Sequence, residues 1–342
     1  MKICIIGAGN TGQAVAVYLN SIGVDCVLYS RSEAKVTAIN NNGITSDGGI
    51  RGKFTIPVSL DLHEAVSGAD LILVMTIANA HKEVAERLKP ILFKNQNIII
   101  FNSNWGAYEF KQVLGDDIEK KNLTVAETNA QLFTSSSKRT GQIHMQVKKE
   151  VTLSATRQEK TRQLLKHTRE IFPQFRPGYS IIETSMASSN PVIHVPIVIL
   201  NLVRVENSQP FLFYGEGVSS AAVSLIQNVD NERVAVAKKI GIHVADVLTV
   251  INSFWENKHD NLFDALTKNK TYTAALGPKT LNHRYITEDV PYGIIPIAAL
   301  GDLFGVDTPY TDSVVDIMKN TIDPYLISGG VKFRKEDFTK PL

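Results

Sequence analysis

Two stretches in the second half of this 342-residue chain carry side chains that could transfer a proton and bind a carboxylate. The first, SSNPVIHVPIVILN over residues 188–201, sets His194 in an otherwise apolar run. The second, HRYITEDVPYG over residues 283–293, collects His, Arg, Tyr, Glu and Asp just before Pro291. Histidine exchanges a proton near neutral pH, and a carboxylate on its far nitrogen fixes its tautomer. A planar guanidinium holds a substrate carboxylate through two hydrogen bonds.

Each stretch also has an interpretation without chemistry. A histidine in an apolar helix is often a hydrogen-bonded core residue, and a polar run before a helix can be a hydrated loop. Locally, Asn190 can cap the helix and Pro191 suits its first turn, whereas Pro196 should bend the helix or make its start irregular.

The N-terminus carries a pattern for a dinucleotide. Residues 2–6 are typical of a buried parallel strand, and residues 13–22 have helical spacing. Between them GAGNTG fits G-x-G-x-x-G, in which Gly7 permits the turn, Gly9 allows close approach of a pyrophosphate and Gly12 allows the helix to pack on the strand. The alternative is a glycine turn without a ligand. The predicted phosphate-binding residues are Gly7, Gly9, Asn10, Thr11 and Gly12.

The residues after the second strand indicate which nicotinamide cofactor is bound. An NAD enzyme usually has an acidic residue there for the ribose 2′-hydroxyl, whereas this chain has Ser30, Arg31 and Ser32. A guanidinium with flanking hydroxyls suits a 2′-phosphate. We therefore predict NADP in preference to NAD, although Glu33 keeps NAD open and Arg31 could be an ordinary surface arginine.

The elements that must position these residues fall into two domains. The first half alternates as βαβαβ, with short strands and turns over residues 42–58, and this predicts a doubly wound parallel sheet. Ligands bind at the carboxyl ends of such strands, so Thr76 is expected near the nicotinamide. His81, just beyond, is either a surface histidine at a helix start or a second cofactor contact.

The composition changes at FPQFRPGYS, residues 172–180. Beyond it the pattern is helical, with long helices ending at Gly241 and opening at Thr308-Pro309. We predict an α/β dinucleotide-binding domain of the Rossmann type over residues 1–177 and an all-α substrate domain over residues 178–342.

The bulk composition excludes several classes. The net charge is +2 from 36 basic and 34 acidic residues, which gives no case for nucleic acid or a membrane surface. No apolar run reaches membrane-spanning length, and no signal peptide is evident. Cys4 and Cys26 lie in predicted core strands, so we expect buried thiols, no metal site and a cytoplasmic protein.

Three segments together resemble the opine dehydrogenases, the NAD/NADP octopine and nopaline dehydrogenase family. They are ETSMASSNPVIHVPIVILN, FYGEGVSSAAVSLIQNVDNERVAVAKKIG and GPKTLNHRYITEDVPYGIIPIAALGDLFGVDTP. The resemblance implies a Rossmann domain joined to an all-helical domain, with catalysis in the cleft between them. It also implies the condensation of an α-keto acid, of the pyruvate or 2-oxoglutarate type, with an amino acid's amino group. The imine is then reduced by NAD(P)H to an N-(carboxyalkyl) amino acid.

Carried over residue by residue, the resemblance implies a catalytic histidine at His194 and its carboxylate partner at Asp289. Arg284 matches the keto-acid-binding arginine, and Asn190 matches the substrate-binding asparagine one helical turn before the histidine. A homodimer is expected. Ile77 stands where the family often has proline, and residues 130–141 depart from its usual pattern, so the choice of substrate stays open.

Two other functions are compatible with a cofactor domain followed by helices. A ketopantoate reductase would need a catalytic lysine and a glutamate in the second domain, and no convincing lysine motif is present. A non-catalytic NADP(H)-binding sensor would keep the glycine turn without needing His194, Asp289 and Arg284 together.

Overall fold

The computed structural model describes residues 1–102 and 104–338. The chain divides into two compact units, which are Met1–Thr76 together with Ala80–Thr184, and Ile77–Asn79 together with the chain from Ser185 onward. The sequence had placed the boundary after residue 177. The residues that follow stay with the first unit because the Gly178 amide donates to the Leu153 carbonyl (2.9 Å) and the Thr184 hydroxyl donates to buried Glu127 (2.8 Å).

The first unit is built on an eight-stranded sheet in the order β12-β11-β8-β7-β6-β1-β2-β5. All its neighbours are parallel except β8 and β11, which are antiparallel. The strands of the chain are β1 Ile3–Ile6, β2 Cys26–Tyr29, β3 Ile44–Gly48, β4 Gly52–Phe54, β5 Val58–Ser59, β6 Leu71–Val74, β7 Asn97–Ile100, β8 Thr124–Thr128, β9 Phe133–Arg139, β10 Gln142–Val147, β11 Val151–Ala155 and β12 Phe175–Pro177. Central strands β1 and β6 are buried throughout, which explains their continuous apolar sequences.

A second, four-stranded sheet has the order β4-β3-β10-β9. The sequence predicted short strands over residues 42–58, and these are confirmed. It missed β9, whose sequence FTSSSKR is polar after Phe133, is partly or fully exposed there, and lacks an apolar alternation. Phe133 anchors this strand, because its ring packs 5.3 Å from that of Tyr18 in the helix after the glycine turn.

Helices complete the first unit, and the predicted α/β fold is confirmed. They are α1 Asn10–Ser21, α2 Glu33–Asn42, α3 Leu62–Val66, α4 His81–Leu88, α5 Gly106–Leu114, α6 Asp117–Lys120 and α7 Gln158–Thr168. Apolar faces of α1 and the strands share one core with Phe172 and Phe175, which precede the second unit.

The described part of the second unit is helical, as predicted. From the boundary onward the helices are α8 Ile181–Met186, α9 Asn190–Leu200, α10 Leu202–Glu206, α11 Ser220–Ile240, α12 Val247–Phe254, α13 Leu262–Thr267, α14 Arg284–Thr287, α15 Ile295–Phe304 and α16 Pro309–Thr321, with a π-helical turn at Val290–Ile294. None of the helices in the described residues is long and apolar enough to cross a bilayer.

Two helix starts differ from the predicted caps. Helix α9 begins at Asn190 itself and runs on through Pro196. At α16, Thr308 makes no side-chain cap. Buried Glu232 of α11 caps it instead, accepting from the amides of Tyr310 (2.9 Å) and Thr311 (2.8 Å), since a carboxylate is stabilised at a helix N-terminus.

Candidate active site

The glycine turn of the first unit accepts only glycine at two positions. Gly7 has φ +112°, and its amide donates to the Tyr29 carbonyl of β2. A Cβ on Gly12 would stand 1.8 Å from the Gly7 carbonyl oxygen, an overlap that backbone atoms cannot relieve by rotation. The strand, turn and helix are therefore held in direct backbone contact.

The middle glycine of the turn, Gly9, faces open space. A Cβ on Gly9 would meet no described atom within 4 Å, and α1 begins at the next residue. The first-turn amides of Asn10, Thr11 and Gly12 have no carbonyl within the helix to donate to. Open space in front of a helix N-terminus fits a pyrophosphate, which NAD and NADP share. These cofactors supply or accept a hydride when bound.

The residues after β2 form a tight polar turn. The Ser30 hydroxyl accepts from the Ser32 amide (3.2 Å), and the Ser32 hydroxyl caps α2 by accepting from the Lys35 amide (3.4 Å). Arg31 extends into solvent and pairs with Glu83 of α4 at 2.8 Å, both side chains being more than half exposed. Such an exposed pair is worth about 1 kcal/mol or less, so a phosphate could displace Glu83.

Two side chains with buried polar atoms, Thr76 and His81, follow β6. The Thr76 hydroxyl and both ring nitrogens of His81 have no hydrogen-bond partner among the described residues. Burial lowers the pKa of His81 to about 4, and the Thr76 backbone only partly opposes this effect. A Cβ on Gly106 would lie 2.8 Å from the His81 ring, so α5 closes over it. The interpretation of His81 as a surface histidine is therefore wrong.

In the second unit, α9 presents His194 to Asp289. Nδ1 of His194 lies 2.7 Å from Oδ2 of Asp289, and the two side chains are 5% and 0% exposed. The predicted hydrogen bond between them is present. Gly293 makes the approach possible, because any Cβ there would overlap Pro191 at 2.3 Å. The π-helical turn thus packs directly on the start of α9; such turns are frequent at functional sites.

The rest of the His194 ring is enclosed by tyrosines. Nε2 lies 2.8 Å from the Tyr214 hydroxyl, and the Tyr285 ring stacks on the imidazole with centroids 3.9 Å apart. Burial lowers the pKa of His194, the Asp289 carboxylate raises it, and Arg284 adds a smaller lowering effect. The ring is therefore neutral at pH 7 in the free protein and can accept a proton.

Arg284 begins α14 and is held by Glu288 one turn later. Its Nε donates to Glu288 (3.2 Å), and its guanidinium lies 5.7 Å from the centre of the Tyr285 ring. Burial works against the charge, but Glu288 and Asp289 raise the pKa of Arg284, so it stays cationic. Glu288 also accepts from the Ala78 amide at 2.9 Å. Among the described residues nothing bonds the two terminal nitrogens of Arg284, which leaves a fork for a carboxylate.

The structure brings His194, Asp289 and Arg284 together, with Asn190 partly buried one helical turn before the histidine. Sequence reasoning missed Tyr214 and Glu288. Both lie in segments that already stood out, FYGEGV and RYITED, and the i,i+4 spacing of Arg284 and Glu288 was a readable ion-pair signal. No sequence pattern reports that the Tyr214 hydroxyl reaches His194.

Family comparisons match each half of the chain. Residues 177–322 match the family described as NAD/NADP octopine/nopaline dehydrogenase, alpha-helical domain. Residues 3–158 match the family described as ketopantoate reductase PanE/ApbA. The second match therefore lies wholly in the cofactor-binding half.

Whole-chain relatives agree with the helical-domain match. An opine dehydrogenase of Arthrobacter sp. (strain 1C) is 30% identical over 340 residues, which are 98% of this chain and 92% of that protein. A solved octopine dehydrogenase with NADH and L-arginine has a TM-score of 0.75 to this structure at 20% identity. The match covers 94% of this chain and 89% of the octopine dehydrogenase chain. A solved yersinopine dehydrogenase with NADP⁺ bound also has a TM-score of 0.75, at 12% identity, covering 96% and 94%.

Proposed function

The chain belongs to the opine dehydrogenase family and is an NAD(P)-dependent oxidoreductase, and we propose that it joins an α-keto acid to the amino group of an amino acid by reductive condensation. The keto acid, the amino acid and NAD(P)H with one proton give an N-(carboxyalkyl) amino acid, NAD(P)⁺ and water. The observation that carries this proposal is the Asp289–His194 pair standing beside Arg284, whose terminal nitrogens are available for a carboxylate.

Each side chain has a role that its contacts support. Arg284 binds the keto-acid carboxylate through its fork, while Glu288 holds the guanidinium in place. His194 gives a proton as the carbinolamine loses water, and it takes a proton in the reverse direction. Asp289 fixes the tautomer with Nδ1 protonated and stabilises the imidazolium. Asn190 lies one helical turn before His194, and its proposed role in binding substrate rests on the family resemblance.

A substrate panel tests this function. NADPH and NADH oxidation would be followed with pyruvate, 2-oxoglutarate, oxaloacetate and ketopantoate, each with and without a set of amino acids. Turnover that requires both a keto acid and an amino acid is expected. Turnover of ketopantoate without any amine would instead favour a 2-keto acid reductase. Cofactor binding without turnover of any pair would favour a sensor. The homodimer stays a prediction.

We also propose that NADP(H) is preferred to NAD(H), with Ser30, Arg31 and Ser32 around the 2′-phosphate. Arg31→Asp should raise the Michaelis constant for NADPH far more than that for NADH, because attraction to the phosphate becomes repulsion. Arg157→Asp is the matched control, since Arg157 forms a comparable surface pair with Glu119 at 3.0 Å. Equal effects of Arg31→Asp on both cofactors would refute the contact.

A further inference from the structure

The imidazole of His194 has no nitrogen left facing a substrate. Nδ1 is bonded to Asp289 and Nε2 to the Tyr214 hydroxyl, at 2.7 and 2.8 Å. The stacked ring of Tyr285 covers one face, and Phe213 meets the ring edge-on at a centroid distance of 5.7 Å. Only 4% of the residue is exposed. Because Nδ1 serves Asp289, any proton that leaves His194 for a substrate leaves from Nε2, where the Tyr214 oxygen stands.

Tyr214 is itself held firmly in place. Its ring stacks on Tyr272 with centroids 4.8 Å apart and meets Phe213 at 5.0 Å and 87°. The Tyr272 hydroxyl in turn accepts from the indole of Trp255 at 3.1 Å. The backbone is fixed beside it, because the Phe213 amide donates to the Ala275 carbonyl at 2.8 Å. Moving the Tyr214 hydroxyl off Nε2 would require several packed aromatic rings to rearrange.

We propose that Tyr214 is a further catalytic residue, whose hydroxyl carries the proton between His194 and the substrate. The proposal rests on the opine dehydrogenase function proposed above. In it Asp289, His194 and Tyr214 form one chain of hydrogen bonds that ends at the reacting oxygen. The position is consistent with the anchor for the keto acid, since Arg284 is close enough to act electrostatically on both His194 and Tyr214.

The step balances as a double proton shift. As the carbinolamine loses its hydroxyl, the Tyr214 O–H bond breaks and its proton bonds to the departing oxygen. The Nε2–H bond of the imidazolium breaks at the same time, and that proton restores the Tyr214 hydroxyl. The electrons of the C–O bond leave with water, and the nitrogen lone pair forms the C=N bond. His194 ends neutral, Tyr214 is unchanged, and no oxidant or reductant is consumed.

The electrostatics favour a concerted shift over a free tyrosinate. Burial raises the pKa of Tyr214 well above its ordinary value. Tyr285, Tyr272 and Asp289 raise it further, and Arg284 opposes them. The phenol therefore stays protonated, and it can give its proton only while it receives another from His194.

The decisive variant is Tyr214→Phe, which keeps the ring and removes the hydroxyl. Tyr272→Phe is the matched control, because it removes a hydroxyl from the adjacent stacked ring that bonds Trp255 and not His194. With a substrate pair that wild type turns over, Tyr214→Phe should lower kcat by roughly 10²-fold, the scale of general acid catalysis. NADPH affinity and circular dichroism should be unchanged, and Tyr272→Phe should stay within a few-fold of wild type.

A proton inventory in mixtures of H₂O and D₂O separates a relay from a packing role. Wild type should give a curved plot, because two protons move together, and Tyr214→Phe should give a linear one. If Tyr214→Phe were as active as wild type or faster, the hydroxyl would merely cover Nε2 and the relay would be overturned. Equal losses in both variants would also overturn it, in favour of packing. Absence of turnover by wild type with every pair would defeat the proposed function itself.

Discussion

The glycine turn of the first unit and the histidine cluster of the second are two candidate sites that are built by different physical means. The turn spans Gly7 to Gly12, six adjacent residues, and offers backbone amides and empty space. The cluster offers buried side chains, of which His194 and Asp289 stand 95 residues apart in the chain. A backbone site is specified by where side chains are missing. A side-chain site depends on several helices being packed correctly at once.

The two regions also differ in whether their buried histidine is hydrogen-bonded. In the cluster, His194 is bonded at both nitrogens and its carboxylate neighbour supports a proton. At the start of α4, His81 is buried, and neither of its ring nitrogens has a close hydrogen-bond partner among the described residues. A buried imidazole that is hydrogen-bonded to a carboxylate can become protonated during a reaction, because the carboxylate stabilises the imidazolium. A buried imidazole that lacks such a carboxylate stays neutral.

The largest effect is expected from breaking the side-chain site. His194→Ala removes the proton donor and should lower the rate by about 10²–10⁴. Asp289→Asn should be severe too, because it can stabilise the wrong tautomer of the ring. The double variant should be little worse than His194→Ala, since the pair acts as a unit. Steady-state kinetics with saturating substrates would measure all three.

The pH profiles provide the check on this pair. Reduction needs protonated His194, so its rate should fall as pH rises through a pKa that burial has lowered. Oxidation needs the neutral ring, so its optimum should be more alkaline. Additive single variants, or variants that leave both profiles unmoved, would contradict the assignment.

The second effect should appear in the backbone site as a contrast between two glycines. Gly12→Ala must overlap the Gly7 carbonyl, so we expect a loss of about 3 kcal/mol in the free energy of unfolding. Gly9→Ala enters open space and should leave stability within about 1 kcal/mol while weakening NADPH binding. Urea unfolding and fluorescence titration separate the two outcomes. Equal stability of both variants would refute the geometry of the turn.

A third, intermediate effect concerns the substrate anchor. Arg284→Lys keeps the charge but loses the bidentate fork, so kcat/KM for the keto acid should fall by roughly 2–3 kcal/mol in transition-state terms. The Kd of NADPH should hardly change, because the proposed phosphate-binding residues of the glycine turn do not include Arg284. Weaker cofactor binding with unchanged keto-acid kinetics would assign Arg284 a different role.

The smallest effect concerns His81 and stability in mild acid. Its folded pKa of about 4 lies below the ordinary value of 6.5, so the unfolded chain binds the proton more tightly and stability falls as the pH drops between them. From pH 7 to pH 5 this residue should cost about 2 kcal/mol. His81→Gln should lose less stability than wild type over that interval in urea unfolding.

His167→Gln provides the control, because His167 is exposed on α7 and is hydrated in both states. It should lose as much stability as wild type between pH 7 and pH 5. If His81→Gln kept the full acid sensitivity of wild type, the ring would not be buried as a neutral group.

The sequence by itself determined the features that are local. The order of strand, glycine turn and helix, the change to helices beyond residue 180 and the stop of α11 at Gly241 all follow from neighbouring residues. Motif resemblance pointed to His194, Asp289 and Arg284 because short segments preserve those types. Polar strand β9 was missed, since its pairing with β10 depends on a partner strand and not on its own apolar pattern.

Only the tertiary structure decided what surrounds each candidate. Burial of His81 follows from α5 closing over it at Gly106, and capping of α16 comes from Glu232, far away in the sequence. The hydroxyl of Tyr214 reaches His194 because α9 and the segment before α11 pack in one core. Burial and hydrogen bonding depend on distances between segments that are remote along the chain. Those distances are set when the segments pack together in the folded protein, and local sequence patterns do not contain them.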